Sequence, residues 1–288
     1  METHEDVARR TLSIRALPKS LIANGRMKVG HRIIDSTIAN PGLKELCALA
    51  VMTKVPRAGN VKTRLVPPLT HDEAAQINIC FLQDTANALA RASGVSGREI
   101  GVYTPVGGES VYASILPCEF ELLPQRGDDF GERLANAAAD LFKIGFGSVC
   151  LIDSDSPTVP AATYARAIEL LSLKGDRVVL GPSDDGGYYL IGLKQLHCQL
   201  FEEIDWSTER VLEQTMARAA GLALEIQSLP TFYDIDNHAT LYRLCEELLG
   251  DRTRSATAVA PHTREFLRAI IAREGRGRIW PREFAGTK

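Results

Sequence analysis

The chain lacks the signatures of several common classes. Its six cysteines and six histidines form no CxxC, no HxxxH and no mixed Cys–His cluster, which excludes the usual spacings of a structural zinc site. Cys47, Cys80, Cys118, Cys150, Cys198 and Cys245 are scattered, most of them in apolar runs such as CALAVM and SVCLID, where a reduced cysteine behaves as a small buried hydrophobe. Cys150 has no neighbour that would lower its pKa and reads as core, not nucleophile. No apolar stretch approaches the ~20 residues needed to span a bilayer. The opening METHEDVARRTLSIRALPKS has no apolar block followed by a small-residue cleavage site, so it does not read as a signal peptide. A basic excess is also missing: 33 Lys plus Arg stand against 36 Asp plus Glu, for a net charge of −3. A polyanion-binding surface normally needs that excess, so nucleic acid is not the expected partner. These absences describe a reduced, cytoplasmic protein.

What the chain does have is a hydrophobic content of 45% over 288 residues, enough for one or two domains. Short apolar runs alternate with helical segments. CALAVMT (47–53), EIGVYT (99–104), SVCLID (148–153), RVVLGP (177–182), YYLIGL (188–193) and ALEIQSL (223–229) read as strands. Thr70 followed by an acidic first turn opens one helix, and ERLANAAADLFKIG is an amphipathic helix with Gly145 as its stop. Continuous apolar strands separated by helices predict an α/β fold with a mostly parallel sheet covered on both faces. There is no internal repeat. Residues 1–44 read as an N-terminal extension, with Met27 an alternative start, and 45–249 as the main domain. Residues 250–288 read as a linker, a short helix (TREFLRAIIARE) and a loose tail. An α/β enzyme of this size is often a homodimer.

In open α/β sheets ligands gather beyond the carboxyl ends of the strands, and three loops there have unusual composition. TKVPRAGNVKTRLVPPL (53–69) clusters Lys54, Arg57, Lys62 and Arg64 around Gly59 and three prolines. Cations held on a restricted loop suit a small anion such as phosphate, bound by charge-assisted hydrogen bonds. The ordinary alternative is a solvated basic loop; a Walker A sequence is absent. LIDSDSPTVP (151–160) sets Asp153 and Asp155 two apart at a strand end. That acid pair suits Mg²⁺ or Mn²⁺ shared with phosphate oxygens, although turn and cap roles also explain such aspartates. GPSDDGGYYLIGL (181–193) places Asp184 and Asp185 before Gly186 and Gly187, either a β-hairpin turn or a hairpin whose turn faces a ligand, with Asp184 or Asp185 accepting from sugar hydroxyls. Of Tyr188 and Tyr189, alternation assigns one to the core and lets the other face the ligand. Downstream, FYDIDN offers Asp234 and Asp236 as a further metal ligand or as helix caps.

The ordered set KVPRAGNVKTRL (54–65), QRGDDFGERLANA (125–137), DSDSPTVP (153–160), GPSDDGGYYLIGL, IDWSTERV (204–211) and YDID resembles the rSAM/selenodomain-associated transferase family, which belongs with the nucleotide-diphospho-sugar transferases of GT-A fold. It spans about residues 46–249, and the same loops are similar to those of 2-phospho-lactate guanylyltransferases. The resemblance implies a GT-A/Rossmann-like sheet, a metal carried by Asp155, and nucleotide phosphates near Lys62 and Arg64. Two positions depart from the family pattern: Asp153 stands where relatives usually have glycine, and Thr240 replaces the second acid of DIDxxxDL.

Three functions follow as expectations. The first is glycosyl transfer from a nucleotide-diphospho-sugar to a small acceptor. Here Asp155, with Asp153 and Asp236, holds Mg²⁺ or Mn²⁺, the basic loop steadies the phosphates, and Asp185 positions hydroxyls or acts as base. The second is nucleotidyl transfer from an NTP to a phosphorylated small acid or sugar, with Lys62 and Arg64 on the phosphates. The third is a non-catalytic nucleotide-binding module. Trp206 reads as a packed loop aromatic, and Gly131, Glu132 and Arg133 as an ordinary helix start, with a contact of Gly131 and Glu132 to base or ribose as the alternative.

Overall fold

The computed structural model describes residues 30–250 and 259–281. Met27 with the rest of residues 1–29, most of the expected linker (251–258) and the end of the tail (282–288) lie outside the described residues.

The expected α/β architecture is present as a seven-stranded sheet. Its elements run β1 (Cys47–Lys54), α1 (His71–Ser93), β2 (Gly97–Thr104), β3 (Glu121–Pro124), α2 (Phe130–Ile144), β4 (Ser148–Ile152), α3 (Ala161–Ser172), β5 (Arg177–Pro182), β6 (Tyr188–Leu193), α4 (Val211–Gly221), β7 (Glu225–Ser228), α5 (His238–Leu249) and α6 (Pro261–Glu274). β1 and β4 are buried on both faces, which is why they read as continuous apolar runs and not as an alternating pattern. Local signals set the helix boundaries. Thr70 and Glu73 cap α1 reciprocally, Asp129 accepts from the Glu132 amide at the start of α2, and Gly145 ends α2 at φ 123°.

The strand order is β3-β2-β1-β4-β6-β5-β7. Every neighbouring pair is parallel except those made by β6, which runs against both β4 and β5. The chain winds from β1 outward to β3, then returns to lay β4 on the other side of β1. That reversal opens a crevice at the carboxyl ends of β1 and β4, the usual ligand position in such sheets. β5 and β6 form the expected hairpin, closed by Ser183 N to Gly187 O at 3.0 Å. Because β6 is antiparallel to β4, its first residues lie at the carboxyl end of β4, and the DDGG turn reaches the crevice.

Two apolar layers cover the sheet. One joins α1 and α3 to Leu49, Val51, Cys150 and Val179; the other joins α2 to Ala48, Ala50, Val149 and Leu151. Cys150 is core, its Sγ 3.8 Å from that of Cys47. The described part of the N-terminal extension lies along the β3 edge, where Ile34 N donates to Leu122 O and Leu122 N to Arg32 O, both at 2.8 Å.

The expectation of a loose tail is corrected as far as Pro281. α6 docks on α1, where the Asp84 carboxylate accepts from the amides of His262 (3.0 Å) and Thr263 (2.9 Å) and from the Thr263 hydroxyl (2.7 Å). Ala260, at the cap position, has no side-chain acceptor, and Asp84 replaces it from another element. Beyond Gly275, Ile279 is fully buried and Trp280 is 7% exposed, closing a third core with Leu65, Leu69, Phe81 and Ile235. The polar composition of GRGRIWP hides two large apolar side chains that α1 and α5 need covered. Replacing Trp280 by alanine is expected to cost about 3–5 kcal/mol, read as a lower urea midpoint by far-UV circular dichroism.

Candidate active site

The crevice is organised around one ammonium group. Lys62 Nζ lies 2.9 Å from Asp155 Oδ2 and 2.7 Å from Asp236 Oδ1, and its side chain is only 5% exposed. Lys62 reaches this place because its backbone is left-handed (φ 48°, ψ 37°), a costly conformation for a residue with a β-carbon. Leu65 and Leu69 anchor the same loop in the third core. Asp155 is steadied by Ser154 Oγ at 3.3 Å and, more weakly, by Asn78 Nδ2 at 3.5 Å. The two acidic segments are tied directly by Ile235 N donating to Asp155 O at 3.0 Å. Burial alone would lower the Lys62 pKa, but Asp155 and Asp236 raise it above the usual lysine value. Burial likewise pushes Asp236 up, and the outweighing charges of Lys62 and Arg64 hold it below the usual carboxylate range.

Around this triad the crevice has two halves. The half of about 370 Å³ is lined by Lys54, Lys62, Arg64, Arg133, Asn78 and Gln125, with Asp155 and Asp236 at its base. Lys54 Nζ reaches the Asn60 carbonyl at 3.3 Å, and Arg133 is steered by the carbonyls of Gly127 (3.0 Å) and Asp128 (3.3 Å). The adjoining half of about 510 Å³ is lined by Asp153, Asp185, Asp234, Asp236 and Glu209, with Phe130, Tyr188 and Trp206 as an aromatic wall. Burial pushes Asp153 well above its ordinary value, helped by the charges of Asp155 and Asp234; Ser156 Oγ, at 2.7 Å from Oδ2, opposes this, as does Lys62. Its Oδ1 is buried with no hydrogen-bond partner. Asp234 is raised to about 6, by burial first and then by Asp236 and Asp185.

Most of the expected site residues converge here, but not all in the expected places. Lys54, Lys62, Arg64, Asp153, Asp155, Asp185, Gly187 and Asp236 line the crevice. Lys62, expected on nucleotide phosphates, is committed to two carboxylates. Gly59 (φ 78°) lies outside both halves, in an exposed turn. Gly186 supports the crevice from behind, since a β-carbon there would meet Glu209 O at 2.1 Å. Of the two hairpin acids, Asp184 is paired outward with Arg243 and Asp185 faces the crevice. Tyr189 is the fully buried tyrosine and Tyr188 the partly exposed one, and both line the crevice. The cap role belongs to Asn237 and not to Asp236, and Thr240, the departure from the family pattern, completes a capping box with it. Trp206 both packs and lines: it meets Phe130 edge-on at 5.2 Å, and Gly131 leaves room for its indole. Gln125 and Arg133 lie in the QRGDDFGERLANA motif but carried no signal of their own for the crevice, and Asn78 lay outside every motif.

The residues suit only part of a divalent-cation site. Asp155, Asp236 and the unpartnered Asp153 oxygen are hard oxygen donors, as Mg²⁺ or Mn²⁺ prefers. Among the described residues, however, no three His, Cys, Asp or Glu side chains converge as a protein cage. The arrangement fits a cation held by one or two carboxylates and completed by phosphate oxygens and water.

Residues 88–208 match the model of a family described as "Uncharacterized protein conserved in bacteria (DUF2064)". A protein of Desulfovibrio desulfuricans G20, described provisionally as a nucleotide-diphospho-sugar transferase, is similar in structure. It shares 29% identity over 80% of this chain and 97% of its own, with a TM-score of 0.66. Lower similarity links the chain to Rv0371c of Mycobacterium tuberculosis H37Rv in complex with manganese (15% identity, 70% of this chain and 99% of that one, TM-score 0.46). CMP:2-keto-3-deoxy-manno-octonic acid synthetase complexed with CTP matches at 9% identity over 69% and 96%, with a TM-score of 0.45. No curated protein matches the chain. Among the described residues no helix is long and apolar enough to cross a membrane.

Replacing Lys62 by methionine leaves two carboxylates without their counter-charge. The carboxylates are 33% and 43% exposed, so the expected cost is about 1–3 kcal/mol, less than the ~3–5 of a fully buried pair. Adding Asp236→Asn should restore part of it in a double-mutant cycle of urea midpoints. The depressed Asp236 pKa also sets a direction. Its contribution is present above the unfolded carboxylate value of about 4 and is lost as pH falls through the lower folded value.

Proposed function

We propose that this chain is a nucleotide-dependent transferase. In this reading residues 45–249 are the catalytic unit, flanked by accessory ends, and the basic half of the crevice receives the phosphates of an activated donor. The observation that carries it is the Lys62 bridge between Asp155 and Asp236, which joins the basic loop and two acidic strand ends at the switch point of the sheet. Support also comes from the similarity to the Desulfovibrio protein over four-fifths of the chain.

The favoured chemistry is glycosyl transfer. The acceptor hydroxyl oxygen bonds to the anomeric carbon while the bond from that carbon to the diphosphate oxygen breaks, and the nucleoside diphosphate leaves with the electron pair. Asp185, which lines the acceptor half, takes the hydroxyl proton in this reading. Lys54, Arg64 and Arg133 stabilise the charge gathering on the leaving group. Asp155 and Asp236, with Asp153 beside them, are the residues that would hold Mg²⁺ or Mn²⁺, and the ion would supply Lewis-acid stabilisation of the diphosphate. Lys62 keeps the two carboxylates together and holds Asp236 ionised. A second reading, nucleotidyl transfer with release of pyrophosphate, is favoured by one observation: Arg64 lines the crevice with no ion-pair partner among the described residues, a spare cation for a longer phosphate chain.

A panel of NTPs and nucleotide-sugars, scored for thermal stabilisation with and without Mg²⁺ or Mn²⁺, is expected to select one donor class, because a bound ligand raises the melting temperature with saturation. Release of nucleoside diphosphate then marks glycosyl transfer and release of pyrophosphate marks nucleotidyl transfer. Asp155→Asn is expected to lower kcat/KM on the selected donor by about 100-fold or more, and chelation of the metal to do the same reversibly. Stabilisation by none of these donors would sink the proposal.

A further inference from the structure

The two halves of the crevice are sorted by charge, and the sorting bears on what the second half accepts. Resting on the transferase reading, we infer that the half bounded by Trp206 takes a polyhydroxylated ring that is neutral or bears an ammonium group, and rejects a phosphorylated or carboxylated one. In the basic half, Lys54, Lys62, Arg64 and Arg133 face two carboxylates. In the other half, Asp185, Glu209 and Asp234 face a single cation, Arg64, at the shared boundary, while Asp236, which also lines it, is already paired with Lys62. A phosphate entering the acidic half would meet no second guanidinium or ammonium to replace its water. A ring rich in O–H or N–H donors would meet acceptors instead, the Asp185 and Glu209 carboxylates among them.

The aromatic lining carries the second, independent observation. Phe130 and Trp206 pack edge to face at 5.2 Å, and this contact depends on Gly131, because a β-carbon there would lie 2.5 Å from the indole nitrogen. Tyr188 and Val211 extend the same surface. Aromatic faces attract the polarised C–H face of a ring and stabilise a nearby cation. The cavity, about 510 Å³, is of a size that suits a small ligand. On the acid side, Asp185 Oδ1 accepts from Gly187 N at 2.9 Å, which holds the carboxylate on the turn and leaves its other oxygen for the ligand. The acceptor therefore has one polar, donor-rich edge and one apolar face, and no negative charge of its own.

Saturation-transfer difference NMR on the full chain tests this with three related probes: glucose, glucosamine and glucose 6-phosphate. Each is titrated alone and again with Mg²⁺ and saturating inorganic pyrophosphate, which blocks the basic half. The expected ranking with pyrophosphate is glucosamine at or above glucose, with glucose 6-phosphate about tenfold weaker than either. Trp206→Ala should weaken the two accepted sugars, and Asp185→Arg should reverse the ranking in favour of glucose 6-phosphate. Equal transfer to glucose and glucose 6-phosphate, no transfer to any probe, or a ranking unmoved by Asp185→Arg would each overturn the inference. Pyrophosphate with Mg²⁺ should separately raise the melting temperature. If it does not, the phosphate half is refuted, while the sugar ranking without pyrophosphate still decides the charge-sorted half.

Discussion

Two carboxylate-bearing segments and one cationic loop meet at the Lys62 ammonium, and the architecture of the crevice depends on that contact. Asp153, Asp155, Asp234 and Asp236 crowd the ends of β4 and of the chain leaving β7, where burial and the repulsion of neighbouring carboxylates push Asp153 and Asp234 above their ordinary values. A single buried ammonium 2.9 and 2.7 Å from two of them offsets that repulsion. The result is graded and not uniform: Asp236 is held ionised by its direct contact, while Asp153 and Asp234, out of hydrogen-bond reach, are pushed towards the neutral form. Such divergence among neighbouring carboxyl groups is a common property of sites that bind or react.

That contact is held by packing far from it. Lys62 belongs to a loop fastened through Leu65 and Leu69, and Asp236 follows Tyr233 and Ile235; all four apolar anchors lie in the third core, which α6 and Trp280 complete. Glu73, at the start of α1, caps Thr70 and is paired with Arg273 and Arg278, and Arg278 Nε reaches the Pro68 carbonyl at 2.9 Å. The C-terminal segment is thus a brace on the basic loop, joined to it by apolar contact on one side and by ion pairs on the other.

The strands and their order of burial were readable because a parallel strand covered on both faces leaves an unbroken apolar run, as in CALAVM and SVCLI. Asp155 and the cation cluster were readable because acids and bases beside such runs have no packing role to explain them. The pairing of Lys62 was not readable, since it joins residues 93 and 174 positions apart and no local pattern encodes that distance. The choice between Asp184 and Asp185 turned on which of them faces the crevice, and alternation did not foretell that Tyr188 and Tyr189 both line it. The tail was misjudged because two buried side chains among arginines and glycines leave almost no periodic signal.

Composition and periodicity alone determined that this is an α/β chain with phosphate-type and metal-type residues at its strand ends, because those properties are local and need only a few neighbouring residues to express. Only the tertiary structure decided which charge neutralises which, where the crevice divides into a basic and an acidic half, and that the C-terminal segment supports the basic loop. These are consequences of distance in space, and electrostatic energy depends on that distance and on burial, neither of which is written in the order of the residues.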